Sequence, residues 1–188
     1  MQDAAFPRFR RAADQAVIVE FGVTIDADIN RRVTELDRDI ARRPIAGVVE
    51  CIPTYRSLCV RYDPIQTSAA GLIEDLRHRI ASPGENQEQG RLWTVPAFYG
   101  GEAGRDLDDV AQIHGLTTEE VIALHCGTRY RVFMIGFMPG FAYLGGLHET
   151  LHTPRLATPR PLMAAGGLAI GGIQASFSSV AGPSGWRF

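Results

Sequence analysis

Residues 136–155 read GFMPGFAYLGGLHETLHTPR, and two folds compete for them. The right half holds His148-Glu149-Thr150-Leu151-His152, the H-E-x-x-H pattern. On a helix, that pattern sets two zinc-binding histidines one turn apart with a glutamate as general base. The left half is a Gly- and Pro-punctuated loop leading into a short apolar strand. The helix breakers decide between them. Gly145-Gly146 and Pro154 leave room for about seven helical residues, too few to present both histidines with flanking turns. No histidine follows His152, and nothing in the spacing of His78, His114 and His125 points at this stretch. A polar loop or single helical turn is expected, with no metal, inside a β-rich region.

The flanks agree with that reading. RYRVFMIGF (129–137) is a strand pattern, and GGLAIGGIQASF (166–177) sets apolar residues between glycine pairs, as in short strands with tight corners. Upstream, residues 106–125 predict two short helices, the second opened by a capping box from Thr117 to Glu120. LDDVAQIHGLTTEEVIAL also resembles a helix-turn-helix. Its second helix would present Glu119 and Glu120 to phosphate, however, and no arginine lies between Arg105 and Arg129 to offset them. Nucleic acid is therefore not an expected partner.

The first 85 residues have a different rhythm. QAVIVEF (15–21) reads as a strand. A helix follows, with Ile29, Val33, Leu36 and Ile40 on one face and Asp26 as its N-cap. GVVECIP (47–53) and SLCVRYD (57–63) are two more strands, and Leu72, Leu76 and Ile80 line a second helix. ASPGENQEQG (81–90) is a linker, and RLWTVPAFYG (91–100) resumes as a strand. The order is β-α-β-β-α-β, the split βαβ or ferredoxin-like arrangement. The chain is thus expected to be α+β, with one domain over 1–85 and a β domain over 91–188.

Composition narrows the function. All nineteen basic residues are arginine, so a P-loop lysine, a Schiff base and a lysine general base are excluded. Three cysteines without CxxC spacing suit a reducing cytoplasm, and no apolar run reaches the roughly 18 residues of a membrane span. His125-Cys126 is a conceivable Cys/His pair, although sequence neighbours rarely meet in the geometry that a thiolate requires. Residues 121–188 hold 5 Arg against Glu149 alone, a balance that suits a small anionic ligand.

The most specific pattern is a combination. Gly136-Phe137-Met138-Pro139-Gly140-Phe141-Ala142-Tyr143-Leu144 is followed by Pro154-Arg155 and Pro159-Arg160. Then come Ala165-Gly166-Gly167 through Gly172 and Gln174, and Pro183-Ser184-Gly185-Trp186. The glycines allow close backbone approach to a ligand. The aromatics can wall a pocket, and the arginines can fork a carboxylate or phosphate.

These residues resemble the KipI/PxpB family, also called allophanate hydrolase subunit 1, and the resemblance covers nearly the whole chain. It implies a ferredoxin-like N-terminal domain followed by a cyclophilin-like β-barrel. It further implies one or two strands beyond Phe188 to close that barrel, and little activity of this chain alone. The implied function is that of a subunit of an ATP-dependent 5-oxoprolinase, opening 5-oxo-L-proline to L-glutamate. Its implied partners are a homologous subunit (of the allophanate hydrolase subunit 2 type, or its 5-oxoprolinase counterpart) and a third hydrolase subunit, with ATP and Mg shared between them. Two other family roles are a regulator that binds and inhibits a sensor histidine kinase, and a urea- or allophanate-related hydrolase subunit. On the enzyme reading, Arg155 and Arg160 hold a carboxylate or phosphoryl group, and His125 is the general acid/base. Phe137, Pro139, Gly140, Phe141, Tyr143, Gly166, Gly167 and Gln174 bind the small anionic substrate. The chain departs from the pattern at MAAGGLAIGG, where a serine and a proline are replaced, and at QASFSSVAGPSGW, where a tyrosine is missing.

Overall fold

The computed structural model describes residues 5–82 and 90–188, and the chain falls into two compact units, Met1–Gly90 and Arg91–Phe188. Both are mixtures of helices and antiparallel sheet.

In the first unit, β1 (Arg8–Ala12), β2 (Ala16–Glu20), β3 (Val48–Pro53) and β4 (Ser57–Tyr62) form one antiparallel sheet in the order β1-β2-β4-β3. Helix α1 (Ala27–Arg42) starts where the Asp26 carboxylate accepts the amides of Asp28 and Ile29 at 2.9 and 3.0 Å. Its Val33, Leu36 and Ile40 meet Val17, Val19, Leu58 and Val60 of the sheet. Helix α2 (Ala69–Ala81) adds Leu72 and Leu76 to the same core. Period-2 alternation on the strands and 3.6-residue periodicity on the helices thus converge on one apolar layer. Asp39 ties the two helices together, accepting from Arg43 at 2.6 Å and from Arg79 at 2.9 Å.

One expected element is absent. Residues 91–99 form no strand, and Pro96 removes a donor that a ladder would need. The edge beside β2 belongs instead to β1, a strand that local sequence pattern does not announce. RFRRA alternates as a strand should, with Phe9 packed on the core and Arg10 paired at 2.9 Å with Glu20 on the other face.

The second unit begins with α3 (Leu107–His114) and α4 (Thr118–Cys126). The Thr117 hydroxyl accepts the Glu120 amide at 3.2 Å, and the Glu120 carboxylate accepts the Thr117 amide at 2.8 Å. β5 (Arg131–Ile135), β6 (Ala142–Gly145), β8 (Leu168–Gly171) and β9 (Gln174–Phe177) form a sheet ordered β5-β6-β9-β8. β7 (Arg160–Met163) and β10 (Gly182–Ser184) pair separately. Among the described residues these two sheets do not close into the barrel that was expected. The strands beyond β6 are only three or four residues long, and β10 contains Pro183. Single bridges, Ile170 to Arg187 and Thr153 to Gly172, stand where longer ladders would be needed.

The β5-β6-β9-β8 sheet has two distinct faces. Ile170 and Ala175, partners in the β8–β9 register, pack with Val110, Ala111 and Val121 of the helices. Their neighbours Gly171 and Gln174 therefore face the other way, with Ser176 and its cross-strand partner Tyr143.

Candidate functional site

The helix-free face of this sheet is aromatic. The rings of Phe137 and Phe141 lie 5.6 Å apart, those of Phe141 and Tyr143 4.7 Å, and those of Tyr143 and Trp186 5.9 Å. All are edge-to-face, the arrangement favoured by opposed ring quadrupoles. Trp186 can reach the sheet only because residue 171 is glycine, since a Cβ there would lie 2.4 Å from the indole. Phe141 and Trp186 are buried, whereas Phe137 is 64% exposed at the rim.

Polar groups are set into this wall. Gln174 and Ser176 are 5% and 1% exposed, and the Gln174 Nε2 and Ser176 Oγ have no hydrogen-bond partner among the described residues. Buried polar atoms in native folds are ordinarily paired, so two unpaired ones on one face mark a place for a ligand or ordered water. The Arg155 guanidinium lies over Trp186 at 5.3 Å, is exposed, and has no ion-pair partner among the described residues. Burial raises the Tyr143 hydroxyl pKa, and the positive charge of Arg155 opposes the rise. Arg155 is thus a neighbour of Tyr143 as well as of Trp186.

The GFMPGF segment forms the lip. Phe137 and Gly140 both have positive φ, +68° and +73°, a conformation that is costly for a bulky residue and natural for glycine. The turn is pinned by Met138 N donating to Gly136 O at 2.8 Å and by Phe141 N donating to Met138 O at 3.0 Å. The Ser179 hydroxyl donates to the Pro139 carbonyl. The amides of Phe137 and Gly140 take no part in this bonding. Successive amides in such a turn form an anion-binding concavity.

The expected site residues do not all meet here. Phe137, Pro139, Gly140, Phe141, Tyr143, Gln174 and Arg155 belong to the aromatic face or its lip. Arg160 is engaged elsewhere: its two terminal nitrogens hold both oxygens of Asp106, whose side chain is 6% exposed. Burial pushes the Asp106 carboxyl up, but the Arg160 bonds, the Phe188 amide and the charges of Arg160 and Arg187 outweigh it, leaving a lowered pKa. Gly166 and Gly167 lie in the turn before β8, where a Cβ on Gly167 would meet the Phe188 ring at 2.4 Å.

His125 lies on the helical side of the sheet. It is 8% exposed, its Nδ1 is 2.6 Å from the Tyr99 hydroxyl, and burial lowers its pKa. The HETLH stretch is a single 3-10 turn, Glu149–Leu151. The His148 Nδ1 accepts the Thr150 amide at 3.3 Å, and the His152 Nε2 lies 3.2 Å from the Leu147 carbonyl. Both histidines are thus used locally, and among the described residues no group of three or more His, Cys, Asp or Glu converges to hold a metal.

Ser176, Tyr99 and Asp106 are the functional neighbours that sequence reading missed. Alternation alone could have found Ser176, two residues from Gln174 on a strand. Nothing local marks Tyr99 or Asp106, whose partners lie 26 and 54 residues away.

Residues 7–188 match the family described as carboxyltransferase domain, subdomain C and D. The chain is 35% identical over 191 residues to a 5-oxoprolinase subunit of Bacillus subtilis (strain 168), covering 96% of this chain and 80% of the relative. The crystal structure of TTHA0988 superposes on 92% of the chain with a TM-score of 0.80 and 34% identity. The chain spans only about a third, 34%, of that protein. The Kluyveromyces lactis urea carboxylase shares the fold, with a TM-score of 0.72 and 18% identity over 95% of this chain and 18% of its own.

Proposed function

Since the chain belongs to the carboxyltransferase subdomain C and D family, we propose that it is a subunit of a 5-oxoprolinase-type enzyme whose substrate contacts lie on the aromatic face. The observation behind this is the pairing of a free Arg155 with two buried, unpartnered polar groups, Gln174 Nε2 and Ser176 Oγ, inside an apolar wall. A cyclic amide carboxylate needs those features: a cation for its carboxylate, donors for its carbonyl, and a dry surround for its ring.

In this reading Arg155 receives the carboxylate, while the Gln174 amide and Ser176 hydroxyl hold the lactam group beside Tyr143. The amides of Phe137 and Gly140 stabilise negative charge that develops as the carbonyl is opened, the role of an oxyanion hole. Arg160, held by Asp106, fixes the frame of β7 and leaves the anion to Arg155. His125 acts from the other side of the sheet and has no part at this face.

ATP and Mg belong to the assembled enzyme. The described residues lack lysine and any cluster of metal-binding side chains, so the reading places Mg–ATP with the homologous and third subunits and assigns this chain no step through it. The first unit is read as a ferredoxin-like variant in which β1 takes the closing edge, and the second as part of a cyclophilin-like fold. The domain boundary falls between 85 and 91, and the setting is the cytoplasm.

The test is 5-oxoproline-dependent ATP hydrolysis by this chain co-expressed with its two partner subunits. Turnover in the assembly that is lost in Arg155→Ala supports the reading. A stable assembly with no turnover, or with turnover indifferent to Arg155, overturns it.

A further inference from the structure

A cavity of about 410 Å³ lies wholly within the second unit, between the α3–α4 pair and the strip 162–170, with residues 95–107 forming its rim. It is on the opposite side of the β5-β6-β9-β8 sheet from the aromatic face. Its floor is apolar, supplied by Val110, Val121, Leu168 and Phe177. The volume is within the range of small-molecule sites, which combine an apolar lining with a few placed polar groups.

One such group is His125. The Cys126 thiol donates to the Tyr99 hydroxyl oxygen at 3.4 Å, so the Tyr99 proton is directed to the His125 Nδ1, 2.6 Å away. Nδ1 is then an acceptor, and the proton of the neutral imidazole must be on Nε2. The ring is also fixed from behind by Tyr130, whose centroid lies 5.2 Å away and whose hydroxyl donates to the His125 carbonyl at 3.1 Å. Nε2 is the ring nitrogen left without a partner among the described residues, and His125 lines the cavity. The second polar group is Arg105, exposed on the lining and without an ion pair among the described residues.

We propose that this cavity is a second ligand site, for a small organic carboxylate with an apolar body and an amide or ketone carbonyl. The carbonyl accepts from His125 Nε2–H, the apolar body rests on Val121 and Phe177, and the carboxylate meets Arg105. Tyr99 is a positioning residue, acting through the tautomer it imposes. Neither the aromatic face nor the 5-oxoprolinase reading enters this assignment.

N-benzoylglycine carries all three features and is the probe, titrated into the full chain labelled with ¹⁵N-histidine. Saturable binding at about 1 mM or tighter is expected for a ligand of this size, with a downfield shift of the His125 Nε2–H proton. His125→Phe should weaken binding about tenfold, the loss of one hydrogen bond in a dry site. Ala164→Trp, placed on the exposed lining, should abolish it without lowering the melting temperature. Leu162→Trp, 67% exposed in the parent, is the alternative if that variant fails to fold. The methyl ester of the probe should bind several-fold more weakly to the parent, and equally to the parent and to Arg105→Ala.

An unmoved His125 resonance at tenfold excess over 1 mM overturns the proposal. So does undiminished binding to the tryptophan variant, which would put the probe on the exposed 92–98 segment. Equal binding of acid and ester removes Arg105 from it. 5-Oxoproline titrated in parallel keeps the two sites distinguishable, because binding at the aromatic face leaves the His125 signal in place.

Discussion

Arg160 and Asp106, 54 residues apart, meet through two parallel hydrogen bonds of 2.7 and 2.5 Å. The same carboxylate accepts the Phe188 amide at 2.8 Å, and the Asp106 amide donates to the Phe188 carbonyl at 2.7 Å. One buried aspartate therefore ties the start of α3 to β7 and to the 187–188 segment. Asp106→Asn would leave the Arg160 guanidinium without its bidentate acceptor. The expected loss is about 2–3 kcal/mol, below the range for a fully buried pair because Arg160 is partly solvated. Urea unfolding of the single variants and of Asp106→Asn/Arg160→Met checks it. The double variant should cost less than the sum of the two singles.

Acid should weaken the second unit in two separate windows. Burial lowers the folded pKa of His125 below its unfolded value of about 6.5. The unfolded chain then binds more protons, so this contribution is full above about pH 6.5 and falls as pH drops toward the folded pKa. Asp106, also lowered on folding, contributes above about pH 3.9 and loses that contribution only in stronger acid. Melting temperatures from pH 7.5 down to 5 should fall in the parent and fall less in His125→Phe. An unchanged slope in that variant would show that His125 is not the titrating group.

Gly171 is required by the indole it faces. Gly171→Ala would drive a methyl into Trp186 at 2.4 Å, an overpacking expected to cost about 1–3 kcal/mol. The indole would have to leave the aromatic face, so tryptophan fluorescence should shift to longer wavelength together with the loss of stability. Gly172→Ala, where nothing lies within 4 Å of the added methyl, is the control for backbone effects at positive φ.

Arg155→Ala should separate function from folding. The side chain is exposed and has no ion-pair partner among the described residues, so stability is expected to change by no more than about 0.5 kcal/mol. Turnover of the assembled enzyme should fall at least about a hundredfold, with the loss of a charge-assisted carboxylate contact. Arg155→Lys should recover only part of it, since an ammonium lacks the planar fork.

The helices were plain in the sequence because their signals are local. Asp26 and Thr117 are capping residues within three positions of the amides they accept, and the apolar spacing of α1 repeats within one element. The HETLH turn was also legible from its flanking Gly and Pro. β1 was not, because RFRRA at the head of the chain has one apolar residue and gains its place only by pairing with β2. The strand expected at 91–99 failed for the opposite reason: its composition suits a strand, but no neighbour pairs with it. The site divided along the same line. Motif residues were found as a group, yet a motif gives no sheet face, and the pleat sends Gln174 and His125 to opposite sides. Arg155 and Arg160, five residues apart and alike in sequence, differ because one meets a buried aspartate from α3 and the other meets solvent and an indole.

The place of β1 at the sheet edge bears on how the molecule is made. Every strand and helix of the first unit lies between residues 8 and 81, so its sheet needs nothing from the chain that follows. During vectorial synthesis the first unit is complete while the second is still being translated, and domains emerging first generally fold first. Had residues 91–99 supplied the closing strand, the nascent unit would have waited at the ribosome exit with an open edge. The hairpin of β1 and β2 removes that delay and protects one flank of the newborn sheet before the rest of the polypeptide appears.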